Sequence, residues 1–318
     1  MNRAQTFLVV AVVAAMTLGA CGTATSGSDG LRIVVTTSTL GDLVSNVVGS
    51  DATVEILMPI GADPHSFSPS SRQVAALSDA DLVVTNGLGL EENFSDVLEG
   101  VIGDGGRVLD LGSMLDPIPF GVDDEDHEEE DHGEEEDDDH TLDPHIWMDP
   151  LRMADAARFV AEALSDVDDG VDWTARAASY SADLNELHTK IEGMLSPIDD
   201  SKRLLVTNHD ALGYFAARYG FEVIGTVIPG GSTLGDPSSE DLASLVTTMR
   251  ELGVSVVFAE TTRPSVLAEA VAAELGGEVQ VVELFTGSLG EPGSGAETLI
   301  DLLRLDATRI AEALAPAG

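Results

Sequence analysis

Three histidines occupy segments with the marks of ligand-lining loops. His65 lies in Gly61-Ala62-Asp63-Pro64-His65-Ser66-Phe67, just beyond an apolar run ending near Met58. His145 lies in Asp143-Pro144-His145-Ile146-Trp147-Met148-Asp149-Pro150, and His209 in Leu205-Val206-Thr207-Asn208-His209-Asp210-Ala211, where a strand pattern gives way to a helical one. In open α/β sheets, loops at strand ends line the ligand crevice. Two of the three histidines follow a proline, which fixes the approach of the backbone. Taken singly, each is as readily a structural histidine. Taken together, three neutral imidazoles from separate loops suit Zn²⁺ at about 2.0–2.1 Å, with a fourth place for a carboxylate or water. Each ring then needs a partner for its other nitrogen.

A second set of ligating side chains sits in one run. Residues 123–140 read DDEDHEEEDHGEEEDDDH, fourteen carboxylates with His127, His132 and His140. Like charges at this density repel, so a disordered loop is expected. It reads either as a solvating insertion or as an accessory cation-gathering loop, since imidazole and carboxylate both bind divalent metals. His127 does not begin an HExxH zinc-hydrolase motif, because Asp131 stands at its fifth position.

The lone cysteine has its own context. Met1-Asn2-Arg3 is a cationic start, Phe7 to Leu18 is apolar, and Leu18-Gly19-Ala20-Cys21 follows. The apolar run has the length of a signal-peptide core and is short for a membrane span. The segment resembles a bacterial lipobox, so residues 1–20 are read as a lipoprotein signal peptide and Cys21 as the lipidated residue. Residues 21–30, rich in Gly, Ser and Thr, read as a flexible tether. The chain is expected to be extracytoplasmic and lipid-anchored to a bacterial cell membrane.

Composition narrows the remaining classes. The 318 residues carry 57 acidic and 15 basic side chains, a formal net charge of -42. Such a charge excludes nonspecific nucleic-acid binding, which needs basic patches. With Lys190 and Lys202 as the two lysines, a polybasic membrane-binding patch is not expected. A single cysteine allows neither an intrachain disulfide nor a CxxC metal site. Hydrophobic residues at 43% and aromatics at 4% fit an aliphatic α/β core.

The elements that must position the histidines follow from periodicity. Leu31–Thr36, Val54–Met58, Leu82–Thr85 and Val108–Leu111 read as buried strands, with helices at Gly41–Val48, Arg72–Leu77 and Met153–Leu164. A second series has strands at Leu204–Thr207, Glu222–Val227, Val254–Ala259 and Val279–Leu284. Its helices are Ala211–Arg218, Glu240–Leu252, Ser265–Leu275 and Ala296–Leu314. Such alternation predicts parallel sheets covered on both faces. Between the series, Trp173, Ala177, Tyr180, Leu184, Leu187, Ile191 and Leu195 recur at steps of three or four. That stripe marks one amphipathic helix about 35 Å long. The expected architecture is α/β: two doubly wound parallel-sheet lobes joined by one long linker helix, with a metal cleft between them. The boundaries are 31–170 for the first lobe, with the acidic loop at 121–142, then 171–197 for the linker helix and 198–318 for the second lobe.

These motifs resemble the solute-binding lipoproteins of zinc and manganese ABC importers (cluster A-I), most closely the zinc-uptake subgroup. The resemblance is carried by GADPHSFSPS from Gly61, DPHIWMDP from Asp143 and NHDALGYFAARYGF from Asn208, with Ala80-Asp81-Leu82-Val83-Val84 and Gly87-Leu88-Gly89-Leu90-Glu91 between them. It runs from about Leu31 to the C-terminus. It implies metal ligation by His65, His145 and His209. Many members add an aspartate from a TDS-like motif late in the chain, where this sequence has Thr286-Gly287-Ser288. Gly287 removes that carboxylate, leaving the fourth place to Glu260 or to water. Three imidazoles favour Zn(II) over Mn(II), whose sites are richer in oxygen.

The implied function is capture of Zn(II) outside the membrane and delivery to an ABC importer. No Walker A sequence is present, so the partners are a permease and a separate ATPase. The chain is expected to be a monomer without catalytic residues. The alternatives are a manganese-type binding protein, a surface adhesin and, last, a zinc hydrolase with Asp210 or Glu260 as base.

Overall fold

A computed structural model describes residues 30–120, 142–276 and 279–315. Cys21, His127, His132 and His140 lie outside these residues, as do residues 1–20, read as a signal peptide, and all but the last residue of the segment read as a tether. The first lobe holds β1 (Leu31–Val35), α1 (Ser38–Val48), β2 (Ala52–Ile56), α2 (Ser71–Ser78), β3 (Leu82–Thr85), α3 (Ser95–Gly103) and β4 (Val108–Asp110). Its four strands are parallel in the order β2-β1-β3-β4. Two helices follow, α4 (Pro150–Val167) and α5 (Trp173–Leu195). The second lobe holds β5 (Leu204–Thr207), α6 (Gly213–Tyr219), β6 (Glu222–Thr226), α7 (Ser239–Leu252), β7 (Val256–Glu260), α8 (Val266–Glu274), β8 (Gln280–Leu284) and α9 (Leu299–Leu314). Its sheet is also parallel, in the order β6-β5-β7-β8. Both orders reverse direction beside the first strand of the lobe, and a crevice forms at such a switch point.

The central strands are short apolar runs because each is covered on both faces. All four residues of β3 and all five of β7 are buried. The edge strand β2 is half-exposed and lies two residues earlier than its apolar pattern predicts. Leu57 and Met58, which drew the reading forward, are buried just past the strand and still donate backbone bonds to Val35 and Thr36. The short helix α3 is absent from the sequence reading. It buries only Val101 and contains two glycines, so it offers almost no apolar period.

The stripe read along α5 is borne out residue by residue: all seven positions are buried. The helix packs against α1, α4 and α9, so the C-terminal helix returns to the junction between the lobes. Asp42 of α1 fastens the three elements. Its carboxylate accepts from Tyr180 Oη of α5 and from Leu299 N at the start of α9, both at 3.1 Å. A second tie crosses at α4. Asp149 caps that helix by accepting from Leu151 N and pairs with Arg218 of α6 at 2.7 Å. His188 of α5 stacks on Tyr219 with ring centroids 5.6 Å apart. Among the described residues no helix is long and apolar enough to cross a membrane.

Candidate metal centre

The sheets place two of the histidines beyond the carboxyl ends of strands, and the third enters from the turn before α4. His65 is on the loop after β2, His209 lies two residues beyond β5, and His145 precedes α4. Their rings converge and are buried, at 3, 1 and 2% exposure for His65, His145 and His209. One nitrogen from each lies within 4.8 Å of the others. His145 Nε2 stands 3.3 Å from His65 Nε2 and 3.0 Å from His209 Nε2. Nitrogens bound tetrahedrally to one Zn²⁺ would be roughly 3.3–3.4 Å apart. The two separations from His145 are close to that spacing.

The far side of two rings fixes their tautomers. His145 Nδ1 donates to Asp143 Oδ1 at 2.7 Å, and His209 Nδ1 donates to Glu260 Oε1 at 3.0 Å. With the Nδ1 protons so held and both rings neutral, the two Nε2 atoms present lone pairs to each other across 3.0 Å. Two facing lone pairs repel, and a shared cation removes the repulsion. This is the chemistry of a metal site whose ligands are oriented by carboxylates behind them.

Glu260 therefore lies behind His209 and serves it as a hydrogen-bond acceptor. It accepts also from Asn208 Nδ2, Thr262 Oγ1 and Thr286 Oγ1. Burial alone would push its carboxyl up, but His209, Asn208 and Thr262 together hold it down at about 2. Gly287 lies on the loop after β8, where an added Cβ would stand 3.3 Å from Pro64 Cδ and 3.1 Å from Thr262 Oγ1. It faces the His65 turn but offers no ligand atom.

Sequence reasoning passed over Asp63 and Asp143. The signal was the repeated tripeptide Asp-Pro-His. In both copies the aspartate Oδ1 accepts from the backbone N–H of the histidine, at 3.1 Å for His65 and 2.8 Å for His145. The loop that carries His145 is held further by Asn86 Nδ2, which donates to Pro144 O at 2.8 Å. Buried Glu91 in turn fixes Asn86 and Gly87 by accepting from their backbone N–H groups.

The ring environments set a pH dependence. Burial and the neighbouring imidazoles push His65 and His145 well below the usual histidine range, so both are neutral and ready to ligate at neutral pH. Burial would lower His209 too, but Glu260 raises it above its ordinary value. A proton on His209 competes with metal, so affinity falls as pH drops through that raised value, by about tenfold per unit from this ring alone. Glu260→Gln removes the upward push and weakens the orientation of the ring. Chelator competition at pH 8, 7 and 6 is expected to show a loss of about 10–100-fold at pH 7 in this variant, with a shallower pH slope. Equal affinities and slopes would mean that Glu260 does not act through His209.

The chain matches the family of ZnuA, the periplasmic component A of the zinc-uptake complex, over residues 33–313. It is 30% identical over 304 residues to the manganese-binding lipoprotein MntA of Halalkalibacterium halodurans, covering 94% of each chain. It is 29% identical over 303 residues to the zinc-binding protein TroA of Treponema pallidum, covering 93% of each. The solved periplasmic zinc-binding protein TroA superposes with a TM-score of 0.77 at 27% identity, over 90% of this chain and all of that one. The Mn-bound periplasmic metal-binding protein of Candidatus Liberibacter asiaticus shares the fold, with a TM-score of 0.75 at 24% identity over 89% of this chain and 99% of that one.

Proposed function

The chain belongs to the ZnuA family of extracytoplasmic metal-binding components of metal uptake, and from that premise we propose that it captures Zn²⁺ and delivers it to an ABC importer. His65, His145 and His209 are the ligands, and the metal is cargo. Asp143 and Glu260 orient two of the rings, and water takes the fourth place. The observation that carries the reading is the pair of facing Nε2 atoms whose tautomers the two carboxylates fix. Zinc is preferred to manganese because the donor set is three imidazoles without a carboxylate. The named relatives bind one metal or the other, so the donor set supports the choice. A permease and a separate ATPase would receive the metal, and a lipid on Cys21 would keep the monomeric carrier at the membrane. The 121–142 segment, with His127, His132 and His140, would gather cations without being the tight site.

Uptake of radioactive zinc and manganese in a strain lacking this chain tests the reading. The intact chain is expected to restore zinc uptake at limiting zinc, and the chain without the three histidines is not. Restoration of manganese uptake alone would assign the other metal. Adhesion to host surfaces without any effect on metal uptake would replace the transport reading.

A further inference from the structure

The two Asp-Pro-His turns share the bond from the histidine N–H to the aspartate Oδ1 but use the rest of the carboxylate differently. Asp143 sends its Oδ1 to its own histidine ring as well as to the backbone. Asp63, itself buried, sends Oδ2 across the cleft, where it accepts from Thr233 Oγ1 at 2.7 Å and from Arg263 Nη1 at 3.2 Å. Both donors belong to the second lobe, on the loops after β6 and β7. One carboxylate therefore holds the His65 backbone with one oxygen and the opposite lobe with the other.

The same loops wall off His65. A cavity of about 140 Å³ reaches that ring between Glu92, Phe120 and Pro144 of the first lobe side and Gly231 and Ser232 of the second. Its second-lobe wall immediately precedes Thr233. Phe120 closes tightly on this wall, since a Cβ on Gly231 would overlap its ring. The start of the His65 loop is held separately, where Gly61 N donates to Ser288 Oγ at 2.8 Å.

We propose that Arg263 and Thr233 are positioning residues for metal release: they grip Asp63 and so hold His65 over the metal, and loss of the grip opens the route through this cavity. The proposal rests on the reading that His65 is a ligand. It explains how a metal enclosed by three buried rings can leave while α5 and Asp42 hold the lobes together. Movement of the 231–233 stretch and the Asp63 turn uncovers His65 without a hinge between lobes.

The test is stopped-flow transfer of zinc from the loaded protein to excess chelator. Arg263→Gln and Thr233→Val are each expected to release zinc several-fold faster, and the double variant on the order of tenfold faster, as for loss of one to two hydrogen bonds. Arg263→Lys should recover part of the slow release, because its charge can still reach Asp63. Release rates within twofold of the parent for both single variants would overturn the proposal. So would a lowered thermal midpoint of the zinc-free protein with an unchanged release rate, which marks a structural role only. Zinc retained at full affinity after loss of all three histidines would instead overturn the ligand assignment, a separate failure.

Discussion

Replacement of His65, His145 and His209 together by alanine is expected to abolish tight zinc binding, taking the stoichiometry from about one ion per chain to none. Structural zinc sites with four ligands gain roughly 10–16 kcal/mol, so each ligand contributes roughly 3 kcal/mol, or about a hundredfold in affinity. Single variants should therefore lose about a hundredfold each, and the triple variant on the order of a millionfold. The zinc-induced rise in thermal midpoint, which follows from binding to the folded state alone, should vanish with the site. Alanine leaves Asp143 and Glu260 buried without their ring donors, which costs stability. Glutamine variants, which keep an N–H donor on a longer arm, are the folding control. Deletion of residues 121–142 should leave the tight site in place. If the tight ion instead left with that segment and survived in the triple variant, the three-ring site would be wrong.

Gly287→Asp is expected to move the preference of the site toward manganese. The backbone of Gly287 is not in the left-handed region, so aspartate can be accommodated without backbone strain. An added Cβ would stand 3.2 Å from Thr262 Cγ2 and 3.3 Å from Pro64 Cδ, close enough that both must yield slightly. Overpacking of this kind costs about 1–3 kcal/mol of stability. In return the cleft gains an oxygen donor facing the His65 turn, and Mn²⁺ gains more from a carboxylate than Zn²⁺ does. The Mn²⁺ affinity should rise by roughly a hundredfold, about one ligand's contribution, while zinc changes less. Competition between the two ions reads the ratio directly. An unchanged ratio in a folded variant would place the fourth position elsewhere than residue 287.

Much of this was legible in the sequence because it was written in local patterns. The α5 stripe recurs at steps of three or four, Leu82–Thr85 and Leu204–Thr207 are short apolar runs, and the structure has all three elements at those residues. The three histidines were legible from the loops that carry them, two of them beyond strand patterns, and the structure brings the rings together. What was hidden depends on contacts that no periodicity records. Asp63 meets Thr233 and Arg263 across separations of 170 and 200 residues. Glu260 could be seen at a strand end, but which side of His209 it would occupy depends on β5 and β7 being neighbours in the sheet. The repeated Asp-Pro-His was visible, whereas the divergent use of its two carboxylates is a property of the closed cleft.

The most direct test is anomalous diffraction at the zinc edge from crystals of protein loaded with one equivalent of Zn²⁺. One strong peak is expected within about 2.0–2.1 Å of the Nε2 atoms of His65, His145 and His209, with a light atom in the fourth place. A peak bound by His127, His132 or His140, with the three cleft rings free of metal, would contradict the assignment.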